Sequence, residues 1–228
     1  MHLRSIIAAA LTLVSVVFAQ AGPSIPATMV MPVPGTPLSV ESMEEYVIKN
    51  PDATSTSGSR TTKFFRDAEG RMRIEMEIPQ AFGDPILMVQ LADPVDGFLT
   101  VLETRAKVAH RLRTAKDGAR GGIALSLGRN GLIGFTGKTT RKTEDLGKQM
   151  IDGIEFQGVR TTMTSDEQPS LMAIDDRWAS KERGLIGLLK HTGPDGESTA
   201  RIQHADRTAP DPALFAIPDD YRIRDLAP

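Results

Sequence analysis

The 228-residue chain has no cysteine, one tryptophan, two tyrosines and four histidines. Without cysteine there is no thiol nucleophile, no disulfide framework and no thiolate metal site. Catalytic motifs are missing as well. Gly137-Lys138-Thr139 ends like a phosphate-binding loop, but the glycine such a loop needs five residues earlier is Leu132. Ser126 lacks the first glycine of a nucleophile elbow. The acid pairs Glu44-Glu45, Asp175-Asp176 and Asp219-Asp220 are adjacent in sequence. Neighbours in a strand point to opposite faces, so these pairs cannot make the facing carboxylates of a glycosidase. No cofactor is called for, and the reading is of a non-enzymatic protein.

Long apolar runs are scarce too, with one exception. Residues 6–18 (IIAAALTLVSVVF) follow Arg4 and end at Ala19-Gln20-Ala21. This is the pattern of a secretory signal peptide over 1–21 with an A-x-A cleavage site. It is shorter than the roughly 20 apolar residues of a membrane span. The expectation is an exported, periplasmic or extracellular protein, soluble after cleavage near Ala21 and not membrane-spanning.

The whole chain is 40% apolar and 25% charged, enough to bury one good-sized core and too apolar for disorder. Five prolines (Pro23, Pro26, Pro32, Pro34, Pro37) make residues 22–37 an extended leader, read as a tether or an edge-covering arm. Beyond it come about ten short segments with period-2 patterning, divided by turn residues, which predict antiparallel strands. In the clearest hairpin, Met72, Ile74, Met76 and Ile78 alternate with Arg71, Arg73, Glu75 and Glu77 after the turn Asp67-Ala68-Glu69-Gly70. Asp152-Gly153 carries the signature of a tight hairpin with positive φ angles. Residues 39–47 fit either a short helix or a strand, and a turn is expected at 212–215. The predicted layout is one mainly β domain over 38–222, with a glycine-rich basic insertion at 114–142 and a tail at 223–228.

A net charge of −2 conceals a polarised chain. Between Thr104 and Lys142 there are ten basic residues and one acid, Asp117. Arg105, Lys107, Arg111, Arg113, Lys116, Arg120, Lys138, Arg141 and Lys142 are the candidate anion or membrane patch, with Arg129 beside them. Such a patch suits anionic lipid head groups or an acidic protein partner; equally, its charges serve to solubilise a loop. Nucleic acid is not an expected partner, since Phe135 is the one stacking aromatic in the insertion. His191 is expected to lie opposite Ser198 in the last hairpin, far from His204, so these histidines do not share a metal. His110 reads as a core imidazole on an apolar strand face.

Several segments together resemble a family of uncharacterised secreted bacterial proteins of the acidobacterial type. They are residues 65–75 (FRDAEGRMRIE), 93–97 (DPVDG), 147–164 (GKQMIDGIEFQGVRTTMT), Trp178-Ala179-Ser180 and 210–221 (PDPALFAIPDDY). The strand-rich order, the W-x-S strand end and the P-D-P-x-L-F-x-I-P segment also resemble the periplasmic lipoprotein-carrier superfamily. That second resemblance implies a strongly curved antiparallel half-barrel with few short helices around an apolar concavity. Its candidate lining is Met72, Ile74, Met76, Leu87, Val89, Phe156, Met172 and Trp178, which would hold an apolar or acyl ligand. Carrying lipid or lipoprotein in the cell envelope is the expected function; partner-binding assembly or sensing, and a secreted hydrolase, are the alternatives.

Overall fold

A computed structural model describes residues 29–31, 33–50, 52–78, 80, 83–114, 138–168 and 170–226. The expected signal peptide, the first part of the leader, and residues 115–137 with Ser126, Lys116, Arg120 and Arg129 lie outside these residues. Twelve strands are present: β1 (Leu38–Lys49), β2 (Ser55–Arg66), β3 (Met72–Ile78), β4 (Ile86–Asp93), β5 (Phe98–Glu103) and β6 (Val108–Arg113) form the first run. The second run is β7 (Thr139–Ile151), β8 (Ile154–Ser165), β9 (Met172–Ser180), β10 (Leu185–Gly193) and β11 (Gly196–Asp206). A 3-10 turn (Pro212–Phe215) precedes β12 (Arg222–Leu226).

All twelve belong to one sheet, ordered β12-β6-β5-β4-β3-β2-β1-β11-β10-β9-β8-β7. Each run is an antiparallel meander, and β1 pairs with β11 to join them. Turn chemistry sets the hairpins. At the β2–β3 turn the Asp67 carboxylate accepts hydrogen bonds from the N–H groups of Glu69 and Arg71, while Gly70 takes φ 86°. Asp152 and Gly153 have φ 47° and 69°, the left-handed pair expected of a two-residue hairpin.

Two boundaries differ from the sequence reading, and one choice that it left open is decided. Residues 39–47 are strand and not helix, because β1 buries Leu38, Val40, Ser42 and Glu44 with period 2. Thr139–Lys142 belong to β7 and not to the insertion. The supposed tail contains β12, which pairs parallel to β6, and Arg111 grips Asp225 with two hydrogen bonds.

Register places Val40, Phe64, Ile74, Gln90, Val101 and His110 in one row across six strands, on one face. Phe64, Ile74 and Ala92 on that face pack in a single core cluster with Phe156, Leu188, Ala200 and Ile202. Phe64 and Phe156 stand on strands separated in the order by four others, so only a strongly curved sheet brings them together. Met29 and Val30 of the leader enter the same cluster fully buried. On the opposite face, Val89, Leu91, Leu102 and Ala109 are covered by Ile217 and Tyr221 of the C-terminal segment.

The leader is fastened as a strap over one end of the curve. Val30 bridges Leu185, and Met31 N–H donates to the Gly184 carbonyl at 2.7 Å. Arg66, fully buried, donates from Nε to Thr36 O (2.8 Å), from Nη1 to Met31 O (2.5 Å) and Gly184 O (3.4 Å), and from Nη2 to Arg183 O (2.8 Å). Burial lowers its pKa to about 10, which leaves it charged at neutral pH. Arg66→Ala strands these carbonyls in the interior. The expected loss is about 3 kcal/mol or more in denaturant unfolding, with new protease cleavage between residues 29 and 37.

Candidate binding site

The concave interior is the candidate site. Met72, Ile74 and Phe156 lie in the central cluster, and Trp178 packs against its edge. Trp178 lies over Gly158, where a Cβ would collide with the indole, so the glycine makes room for the ring. Met76 groups with Ile78 and Met88 in a smaller cluster. Leu87 and Val89 do not join this lining. They pair with Glu77 and Glu75, which places them on the opposite face, Leu87 exposed and Val89 beneath the C-terminal segment. Met88 and Gln90 take the inward positions instead. Met172 is exposed on β9.

Two contributors escaped the sequence reading. Met29 and Val30 form part of the interior, and their signal was an apolar Met-Val-Met run inside the proline-rich leader. Gln90 is the other. Its side chain is buried beside Ile74 and Val101, and its Oε1 has no hydrogen-bond partner among the described residues. A buried amide oxygen left unpaired is costly, and it is an acceptor available to whatever shares the interior.

Along β1 and β2 the inner face changes character. Leu38, Val40 and Phe64 give way to Ser42 and Thr62, and then to a buried ion pair between Glu44 and Arg60. Farther along, His191 pairs opposite Ser198, as expected, and faces two carboxylates. Nδ1 lies 2.7 Å from Asp175 and Nε2 lies 3.2 Å from Asp195. Asp175 orients the ring as in a catalytic triad, but the second nitrogen meets a carboxylate where a nucleophile would stand. Among the described residues, no three His, Asp or Glu side chains form a metal-binding group.

The basic stretch is divided by the fold. Arg111 and Arg113 on β6 both stack on Phe98 at 4.5 Å from its centroid, and Lys107 sits over Tyr221 and pairs with Asp220. Arg105 donates to the Asp84 carbonyl. Lys138, Arg141 and Lys142 belong to the β7 end, and β6 and β7 stand near opposite ends of the strand order. Two of the cations are thus neutralised by acids of the C-terminal segment.

A charge ladder crosses the second meander. Glu144, Arg160, Asp176, Lys190, Thr199 and Glu45 oppose one another in turn across β7, β8, β9, β10, β11 and β1. Arg160 binds both Asp176 oxygens, at 2.6 and 2.7 Å.

No family model matches the chain, and no curated protein matches it by sequence. Solved structures are similar in backbone. A chain of the Pseudomonas aeruginosa MucA/MucB complex is 11% identical at TM-score 0.42, covering 84% of this chain and 59% of that one. The Mycobacterium tuberculosis lipoprotein LppX is 12% identical at TM-score 0.38, covering 75% and 88%. A LolA superfamily protein from Nitrosomonas europaea is 9% identical at TM-score 0.35, covering 89% and 96%. This chain therefore spans less than two thirds of its match in the MucA/MucB complex.

The ladder yields a pH prediction. The Arg160 hydrogen bond holds the Asp176 carboxyl below its ordinary range, against the opposing effect of burial. A carboxylate depressed in the folded state stabilises at neutral pH, and the contribution fades as pH falls through its unfolded value of about 3.9 and then its folded one. Asp176→Asn should cost about 1 kcal/mol at pH 7, discounted for the exposure of Arg160. Urea unfolding across pH should show the two proteins converging as pH falls below the ordinary carboxylate range.

Proposed function

We propose that this chain is a non-enzymatic, exported binding protein that carries a lipid-like apolar ligand inside its curved sheet. The observation that carries this reading is how the interior is closed. Among the described residues, the apolar face at the heart of the central cluster is covered by no α-helix and no second sheet; the far strands of the same curve meet it, together with Met29 and Val30 from an extended strap. Lifting that strap would expose an apolar surface while the main strand ladders stay paired. The inner clusters also contain Met29, Met72, Met76 and Met88, whose flexible thioethers adapt to ligands of varied shape.

The unpartnered Gln90 Oε1 gives the proposed ligand a polar contact. A hydroxyl or amide N–H near the apolar part of an amphiphile would supply the missing donor. The run of basic residues between Arg105 and Lys142 is the proposed contact for anionic head groups or an acidic partner.

Native mass spectrometry of protein purified from an exporting cell tests the reading. A retained lipid, released on denaturation, is expected. Empty protein that also fails to take up a fluorescent fatty acid, yet captures an envelope protein, would favour a partner-binding role. Gln90→Leu separates the polar contact from the fold. It should raise stability by up to about 1 kcal/mol by removing an unpaired polar atom, while reducing lipid retention.

A further inference from the structure

We propose that the open edge of β7 is a self-association surface, on which a second copy of this chain adds its own β7 antiparallel about Thr143. Among the described residues, β7 ends the strand order, pairs on one side with β8, and is exposed from Thr139 to Asp145 on both faces. A long edge with free backbone groups is a template for another strand, and the side chains decide which strand it accepts.

Here the side chains read Arg141-Lys142-Thr143-Glu144-Asp145. Two cations, a neutral centre and two anions form a sequence whose charge inverts about Thr143. Antiparallel partners must share a face and a hydrogen-bonding orientation, so a strand pairs with its own copy only about a single residue, never between two. Centred on Thr143, the pairing sets Arg141 opposite Asp145 and Lys142 opposite Glu144, each twice by symmetry. Centring one residue earlier sets Lys142 against Lys142, and one residue later sets Glu144 against Glu144. Those registers oppose like charges, which is unfavourable. Scattered edge charges block pairing; charges sorted by sign select one register.

The ladder described above points to the same pairing independently. Lys190, Asp176, Arg160 and Glu144 alternate in sign and stop at the open edge with an acid. The next member of the alternation is a cation, and the Thr143 register supplies Lys142 of the second copy on that face. Within one copy Lys142 already reaches Glu144 along the strand at 2.8 Å, but both are exposed and the contact is screened. The bulge between Asp145 and Gly147 bounds the straight run available for pairing.

Sedimentation of the full exported chain across a concentration series is the first measurement, with a monomer–dimer equilibrium expected. The double variants R141E/K142E and E144K/D145K should each weaken dimerisation on the order of a hundredfold, through repulsion at all four paired positions. An equimolar mixture of the two should dimerise again, since the charges are then complementary. Because the chain has no cysteine, Thr143→Cys introduces its single thiol. Opposed Cα atoms about 4.5 to 5.5 Å apart suit a disulfide, so oxidation should yield a covalent dimer. Leu146→Cys, with its copies on the order of 20 Å apart in this register, should not cross-link. A monomer at every concentration, charge variants that associate like the parent, or cross-linking at residue 146 but not at 143 overturns the proposal. If a charge variant loses its cooperative melting transition, the cysteine pair alone decides: cross-linking at 143 only supports the register, and any other pattern refutes it.

Discussion

A sheet of twelve strands with one apolar face has to bend until that face leaves water. Spaced about 4.8 Å apart, twelve strands laid flat would make a ribbon on the order of 50 Å wide. No α-helix among the described residues covers it. The sheet instead curls, with the right-handed twist of its strands, until β2, β3 and β4 meet β8 and β10 across the interior. The β1–β11 pairing is the seam that holds the two meanders to one curve. Curling leaves one end to be closed by something other than a strand of either meander, and that is where the strap lies.

Arg66 makes the closure possible. A short strap of small and apolar residues has few side chains to hold it, so its backbone carbonyls must be satisfied inside the protein. One guanidinium does this from a single position, collecting carbonyls from Met31, Thr36, Arg183 and Gly184. Lysine has no planar fork, and its three donors on one nitrogen could not reach four carbonyls spread over two segments. None of these partners is a carboxylate, so the charge is offset by carbonyl dipoles alone.

How much of this was legible depends on where side chains meet water. β3 has one wet and one dry face, and its period-2 pattern gave the strand and the inward residues Met72, Ile74 and Met76. Asp152-Gly153 announced its hairpin because that backbone shape suits few other pairs. β4 was different: Met88, Val89, Gln90, Leu91 and Ala92 are all buried, since the C-terminal segment covers the outer face. With both faces dry the alternation vanishes, and Leu87 and Val89 could not be told from Met88 and Gln90. β12 and the first residues of β7 were missed for the opposite reason, being exposed on both faces. Met29 and Val30 lay among prolines, and nothing local reveals that Arg66, more than 35 residues further on, supplies the hydrogen bonds that hold their strap.

The polar half of the interior bears on what the fold is for. A purely structural core gains nothing from the Glu44–Arg60 pair, because two charges withdrawn from water repay their desolvation poorly and well-packed apolar residues often do as well or better. Gln90 likewise costs more than a leucine of similar size. These groups share the inner face with Val40, Phe64 and Ile74, and the ion pair stands at the end away from the strap. An interior that runs from apolar to polar along its strands is matched to a molecule with the same polarity. An amphiphile seated there would have its direction set, its tail taking the place of Met29 and Val30 and its head lying toward Glu44 and Arg60. Under the proposed function, orientation of this kind would separate a carrier, which delivers one end of its cargo first, from a core that has only to be filled.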